Sequence, residues 1–237
     1  MSRRRRIQIG TAAIVAAVTC ATAGAAAGGT GRSSAYGKHS AEITNRYLPI
    51  SDFHRCVLRG RDGNQTLRIV RVLTHRTRTF VVDGQPVRTA VVRDSVTGLG
   101  AGRLIERTID FFAQDRQGGV HYFGEKVDEF GADGSVSHEG EWLAGAGGAR
   151  PGLLMPAKPR TGRSFKSENA PGIAVESDRV IATGGRRTVR GHAYENVIKI
   201  REHATTPKPD EIEFKTYAPG VGVITEANGG VGLVGCS

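Results

Sequence analysis

Ile212-Glu213-Phe214-Lys215 alternates apolar and polar side chains with a period of two, the pattern of a half-buried β-strand. The alternation places Ile212 and Phe214 on the expected core face and Glu213 and Lys215 on the solvated one. Strands of this kind fit an antiparallel sheet with one wet side. The same texture extends outward through Val197 to Arg201 and Arg179 to Thr183, then back through Val120 to Phe123, Arg103 to Phe112, Val87 to Val96 and Leu67 to Thr74. Turn signals separate these runs: Arg61-Asp62-Gly63-Asn64, Asp83-Gly84, Gly131-Ala132-Asp133-Gly134 and Pro219-Gly220. No segment carries a long apolar stripe of helical period, and Gly145 to Pro159 reads as a long loop. The expectation is a mostly β domain over residues 46–237.

The amino-terminal end reads differently. Arg3 to Arg6 precede an Ala-rich apolar run from Ile7 to about Val18, and Ala21-Thr22-Ala23 is the first of several small-residue cleavage sites. Charged head, short apolar middle and small-residue exit are the parts of a secretory signal, assigned to residues 1–27. The run is too short and too rich in Ala to span a bilayer, which takes about 20 strongly apolar residues. Residues 28–45, small and polar, read as a flexible linker. Cys20 follows Ala17-Val18-Thr19, a loose match to the site at which bacterial lipoproteins are cut and acylated. Two fates for Cys20 stay open: removal with the signal, or lipidation, which alone would bring membrane contact.

Removing the signal lowers the formal charge from +10 to +6. That charge favours solubility and weak attraction to anionic envelope polymers. The basic residues are scattered and lack an aromatic platform or recognition helix, which argues against nucleic acid. Cys56 and Cys236 survive cleavage as an even pair at the two ends of the domain. In an oxidising compartment such a pair predicts a disulfide, and a secreted or cell-surface location with it.

Asp110-Phe111-Phe112-Ala113-Gln114-Asp115 and Gly118-Gly119-Val120-His121-Tyr122-Phe123-Gly124-Glu125 read as aromatic-rich strands around a Gly-containing turn. Gly152-Leu153-Leu154-Met155-Pro156 and Tyr217-Ala218-Pro219-Gly220-Val221-Gly222-Val223-Ile224 complete a set of motifs. On these, the chain from Tyr47 to Ile224 resembles a family of secreted proteins and lipoproteins of actinobacterial type. That family combines a WYAQDxxGNVWYFGE-like hairpin, a GxxMPxxPxxG loop and a YAPGVGxV terminal hairpin, and has no established activity. Phe111-Phe112 stand where Trp-Tyr is usual, and His121 where Trp is common. The terminal hairpin also looks like those of half-barrels that carry lipids or lipoproteins between membranes. That analogy implies a single antiparallel, strongly curved sheet or half-barrel with little helix, and a concave apolar face for an acyl chain.

Asp110 to Glu141 carries eight acidic residues against Arg116 and Lys126. Among them Asp110, Asp115, Glu125, Asp128 and Glu129 form a candidate calcium site or acidic surface, since calcium takes several oxygen ligands. The Asp-x-Asp-x-Asp-Gly spacing of a calcium loop is absent, and outward charges on strands are ordinary. Seven His stand singly, and neither domain Cys sits in a Cys-x-x-Cys pair, so no transition metal or other cofactor is expected. A Glu125/Glu139 or Asp110/Glu125 pair is the most that glycoside hydrolysis would have to work with. The leading expectation is a monomeric, non-catalytic binding protein of the cell envelope holding an apolar or envelope-derived ligand in a curved sheet. An envelope structural or interaction module acting through surface charge is the alternative, and a secreted hydrolase ranks third.

Overall fold

A computed structural model describes residues 35–205 and 211–237. The signal segment and Cys20 lie outside these residues. The described residues form one antiparallel sheet, and the helical segments among them are 3-10 turns at Ile50–Asp52 and Ala227–Gly229. The first arm holds β1 (Arg55–Asp62), β2 (Gln65–Val82), β3 (Gln85–Gly98), β4 (Arg103–Gln114), β5 (Val120–Phe130) and β6 (Val136–Ser137). Two short strands, β7 (Trp142–Leu143) and β8 (Gly152–Met155), pair with β5. The second arm holds β9 (Ser164–Ala170), β10 (Ala174–Val189), β11 (His192–Ala204), β12 (Glu211–Ala218), β13 (Gly222–Glu226) and β14 (Val231–Cys236). Along the sheet the order is β6-β5-β4-β3-β2-β1-β14-β13-β12-β11-β10-β9.

Local chemistry explains the ladder. Asp83 and Gly84 both adopt positive φ, at 49° and 75°. This is the two-residue turn whose twist matches paired strands, and it sets Val82 opposite Gln85. Farther down the same hairpin, His75 takes φ 57° where the register slips between Leu73 and Thr77, so β2 bulges and continues past the end expected at Thr74. The β1/β14 seam joins the arms with Cys56 directly opposite Cys236, and the two are disulfide-bonded.

Three expectations change. The sheet is neither strongly curled nor closed, so the half-barrel is not supported. Apolar side chains of both arms fill the core instead: Phe80, Phe111 and Phe123 cluster with Ala170 and Ala174, and Ala90, Val120 and Met155 with Val180, Ile198 and Ile200. The stretch expected as a long loop contains β8, with Leu153 opposite His121 and Gly152 against the Ser167 carbonyl; only a residue without Cβ permits that approach. The faces of β12 are also reversed. Ile212 is exposed and Phe214 lies under the Lys199 ammonium, 4.4 Å from its ring centroid, whereas Lys215 turns toward Glu202 and Tyr217 is buried. The reason is electrostatic: the interior there carries carboxylates, and Lys215 is their cation.

Of the stretch read as linker, residues 35–45 are described and lie on the sheet. Ile43 is fully buried, Ser40 accepts the Gln114 N–H at 2.7 Å through its carbonyl, and the Tyr36 ring meets Phe123 edge-on.

Candidate functional site

Every second residue of a strand faces the same way, and on several strands the inward positions are acidic. Glu106, Thr108 and Asp110 on β4 are all buried. Asp110 stands opposite the buried Glu125 of β5. Its Oδ1 accepts the Tyr122 hydroxyl at 2.8 Å and its Oδ2 the Thr108 hydroxyl at 2.9 Å. Arg71 of β2 supplies the neighbouring cation, with Nη2 2.6 Å from Asp94 Oδ2 and 3.6 Å from Glu226 Oε2. Burial pushes Glu106 up to about 8 and Asp110 up to about 7, and the Asp94 carboxylate adds to both. Burial, then Asp110, holds Glu125 well above the usual carboxylate range.

The second arm continues this belt. Arg179 opposite Arg201 and Val180 opposite Ile200 fix the β10/β11 register, which sets Asp178 beside Glu202. Glu176 lies two residues earlier on β10, opposite Glu168 of β9. Its Oε1 accepts the Ser167 hydroxyl at 2.9 Å. Lys215 Nζ stands 2.8 Å from Glu202 Oε2. Burial raises Glu202 to about 8 against the pull of Lys215, and burial followed by Glu176 raises Asp178 well above its ordinary value. Glu176, Asp178 and Glu202 each bring a carboxylate oxygen within 4.8 Å of the other two, and they are the group among the described residues with the geometry to hold a metal ion.

A separate cavity of about 50 Å³ opens beside the disulfide. Leu48, Ile50, Phe53, Leu58, Leu73 and Val223 give it an apolar lining, with Arg71 at its wall.

The five acidic residues singled out by sequence are placed in several environments. Asp110 and Glu125 meet in the belt. Asp115 holds the β4–β5 turn: its Oδ1 accepts the N–H groups of Gln117 and Gly119, and its Oδ2 lies 2.9 Å from His121 Nε2. Asp128 pairs with Arg107 at 2.6 Å and with His138 at 3.2 Å. Glu129 stands opposite Glu106 on one side and Ser137 on the other. Glu176, Asp178, Glu202 and Glu226 were not singled out, because alternating acidic residues on a strand read as its wet face.

The belt sets a pH dependence. Glu106 and Asp110 bind protons more tightly in the folded chain than in the unfolded one. Their contribution to stability is therefore complete below the unfolded carboxyl range near 4 and is lost as pH rises through 7 to 8. Asp94, Glu125, Glu129 and Glu226 face these groups with Arg71, so acid outnumbers base around them. Urea denaturation is expected to give a domain at least about 2 kcal/mol less stable at pH 9 than at pH 5. Equal midpoints and slopes at the two pH values would show that burial does not hold these protons.

No protein-family model, no curated protein and no solved structure matches the chain.

Proposed function

We propose that this is an exported, non-catalytic binding protein of the cell envelope that seats the end of an apolar, lipid-like ligand in the cavity beside Cys56–Cys236. The observation that carries this reading is the apolar lining of that cavity, drawn from both sides of the seam and from the Leu48–Phe53 segment. Ligand pockets are typically apolar with a few placed polar groups, and His54, Arg55 and Arg71 are the polar residues here. The size suits a chain end rather than a whole lipid, so the rest of the ligand stays outside. Support for export comes from Arg3 to Arg6 with the apolar run behind them. The disulfide agrees with an oxidising destination, and acylation of Cys20 would tether the domain to a membrane.

The test uses a fluorescently labelled undecanoic acid as probe. Saturable binding is expected, displaced by palmitate and weakened about tenfold or more, roughly 1.4 kcal/mol, in Leu73→Trp, which fills the cavity. Absence of saturable binding, or equal affinity in the variant, argues against the reading.

A second reading, contact with anionic envelope polymers, has its own observation. Arg59 stands opposite Arg68, Arg190 donates to the Arg59 carbonyl at 3.2 Å, and Arg187 lies against Gly229. These side chains gather positive charge at one end of the seam. Binding to wall material that disappears at high salt is its signature.

A further inference from the structure

We propose that Glu176, Asp178 and Glu202 form a calcium site between β10 and β11. The proposal goes beyond the apolar-ligand reading and stands whatever the seam cavity takes.

Three observations converge on it. The first is spacing: the three carboxylate oxygens lie within 4.8 Å of one another. Ligands at about 2.4 Å from one calcium ion are at most about 4.8 Å apart, so the spacing admits a calcium ion among the three. The second is an oxygen without a partner. Asp178 is 2 % exposed and its Oδ1 has no hydrogen bond, although buried polar atoms are almost always paired. The third is charge. Lys215 covers one oxygen of Glu202, but Glu168 stands opposite Glu176 and Glu213 opposite Glu202. One ammonium stands among five carboxyl groups, and burial leaves Asp178 and Glu202 holding protons, which a dication would displace.

The donors select the ion class. All three are hard carboxylate oxygens with no His or Cys among them, which favours calcium over zinc or copper. Glu176 is half-buried and gives the ion its route in, while Asp178 and Glu202 form the buried floor. The Ser167 hydroxyl, already bonded to Glu176, orients that rim ligand.

The test is calorimetric titration of the full chain with calcium chloride, with magnesium chloride as the comparison. One equivalent of calcium is expected to bind with a dissociation constant on the order of 0.1–1 mM, as in extracellular modules, and to raise the thermal midpoint. Glu176→Gln, at the half-exposed rim, is expected to weaken binding about tenfold with the fold kept, and Asp178→Asn to abolish it. Should Asp178→Asn not fold, Glu176→Gln decides the matter. Lys215→Met separates a metal site from a plain charge network. A metal site predicts tighter calcium binding once the competing ammonium is gone. A network built only around Lys215 predicts a destabilised variant that calcium does not rescue, and that result overturns the proposal. So do an absence of calcium heat at millimolar concentration and an unchanged affinity in Glu176→Gln.

Discussion

Replacement of both Cys56 and Cys236 by serine is expected to cost about 4–5 kcal/mol of unfolding free energy and to lower the thermal midpoint by roughly 10–15 °C. The size of the effect comes from the length of chain that the bond closes. The two cysteines are 180 residues apart in sequence, and a cross-link over so long a loop removes more unfolded-state entropy than one over a short loop. The location adds to it. Cys56 and Cys236 face each other on β1 and β14, the seam that joins the two arms, and the β1/β14 ladder slips in register between Val57 and Leu58. The bond therefore secures the two arms beside an interrupted ladder. Differential scanning calorimetry of the double variant checks the expectation, and a midpoint within a degree or two of the parent would mean that the ladder and core hold the seam unaided. Opening of the seam also deforms the cavity lined by Leu58 and Leu73, so the variant is expected to lose the undecanoate probe before it unfolds.

Arg71→Leu is expected to cost about 3 kcal/mol. Arg71 bonds Asp94 through both Nε and Nη2, at 2.8 and 2.6 Å, and reaches Glu226 from the same nitrogen. Its removal strands two shielded carboxylates among Glu106 and Asp110, which already crowd the belt. Loss of one partner from such a group leaves the other charge without compensation, and this outweighs the apolar gain from leucine. The defect has a direction in pH: stranded carboxylates cost most when ionised, so the variant falls furthest behind the parent at alkaline pH and recovers part of the gap in acid. Urea midpoints of both proteins at pH 5 and pH 8 check this. A gap of equal size at the two values would place the effect in packing rather than in charge.

Particular residues show how far the sequence could be read. Period-two runs and Gly-containing turns located most strands, because a strand announces itself by alternation whichever side is buried. The side itself was not legible. At Ile212 to Lys215 the alternation is real, yet the polar members turn inward, since what they meet is Glu202 from the next strand. A single chain does not record which residues another strand will bring opposite. The same limit hid Asp178, whose role depends on Glu202 across a ladder. The pairing of Cys56 with Cys236 was legible for the opposite reason: two cysteines in an oxidising compartment leave one bond to make. The curved face expected from the terminal hairpin did not appear, because Val180, Ile198 and Ile200 from the second arm occupy the space with Ala90, Val120 and Met155 from the first.

The strand order has a consequence for connectivity. Along the main path of the sheet, each strand lies beside a sequence neighbour except at β1 and β14. The order is thus an open run of successive hairpins, interrupted where β1 meets β14 at the disulfide. A circular permutant, with Ser237 linked to the start of the domain and new ends between Met155 and Ser164, would run β9 to β14 and then β1 to β8. Its seam would become one more hairpin, and the one distant pairing of the main path would become local. Local pairings form faster than distant ones, so the permutant is expected to fold faster than the native chain, whose one distant pairing on the main path joins the two arms where Cys56 and Cys236 bond.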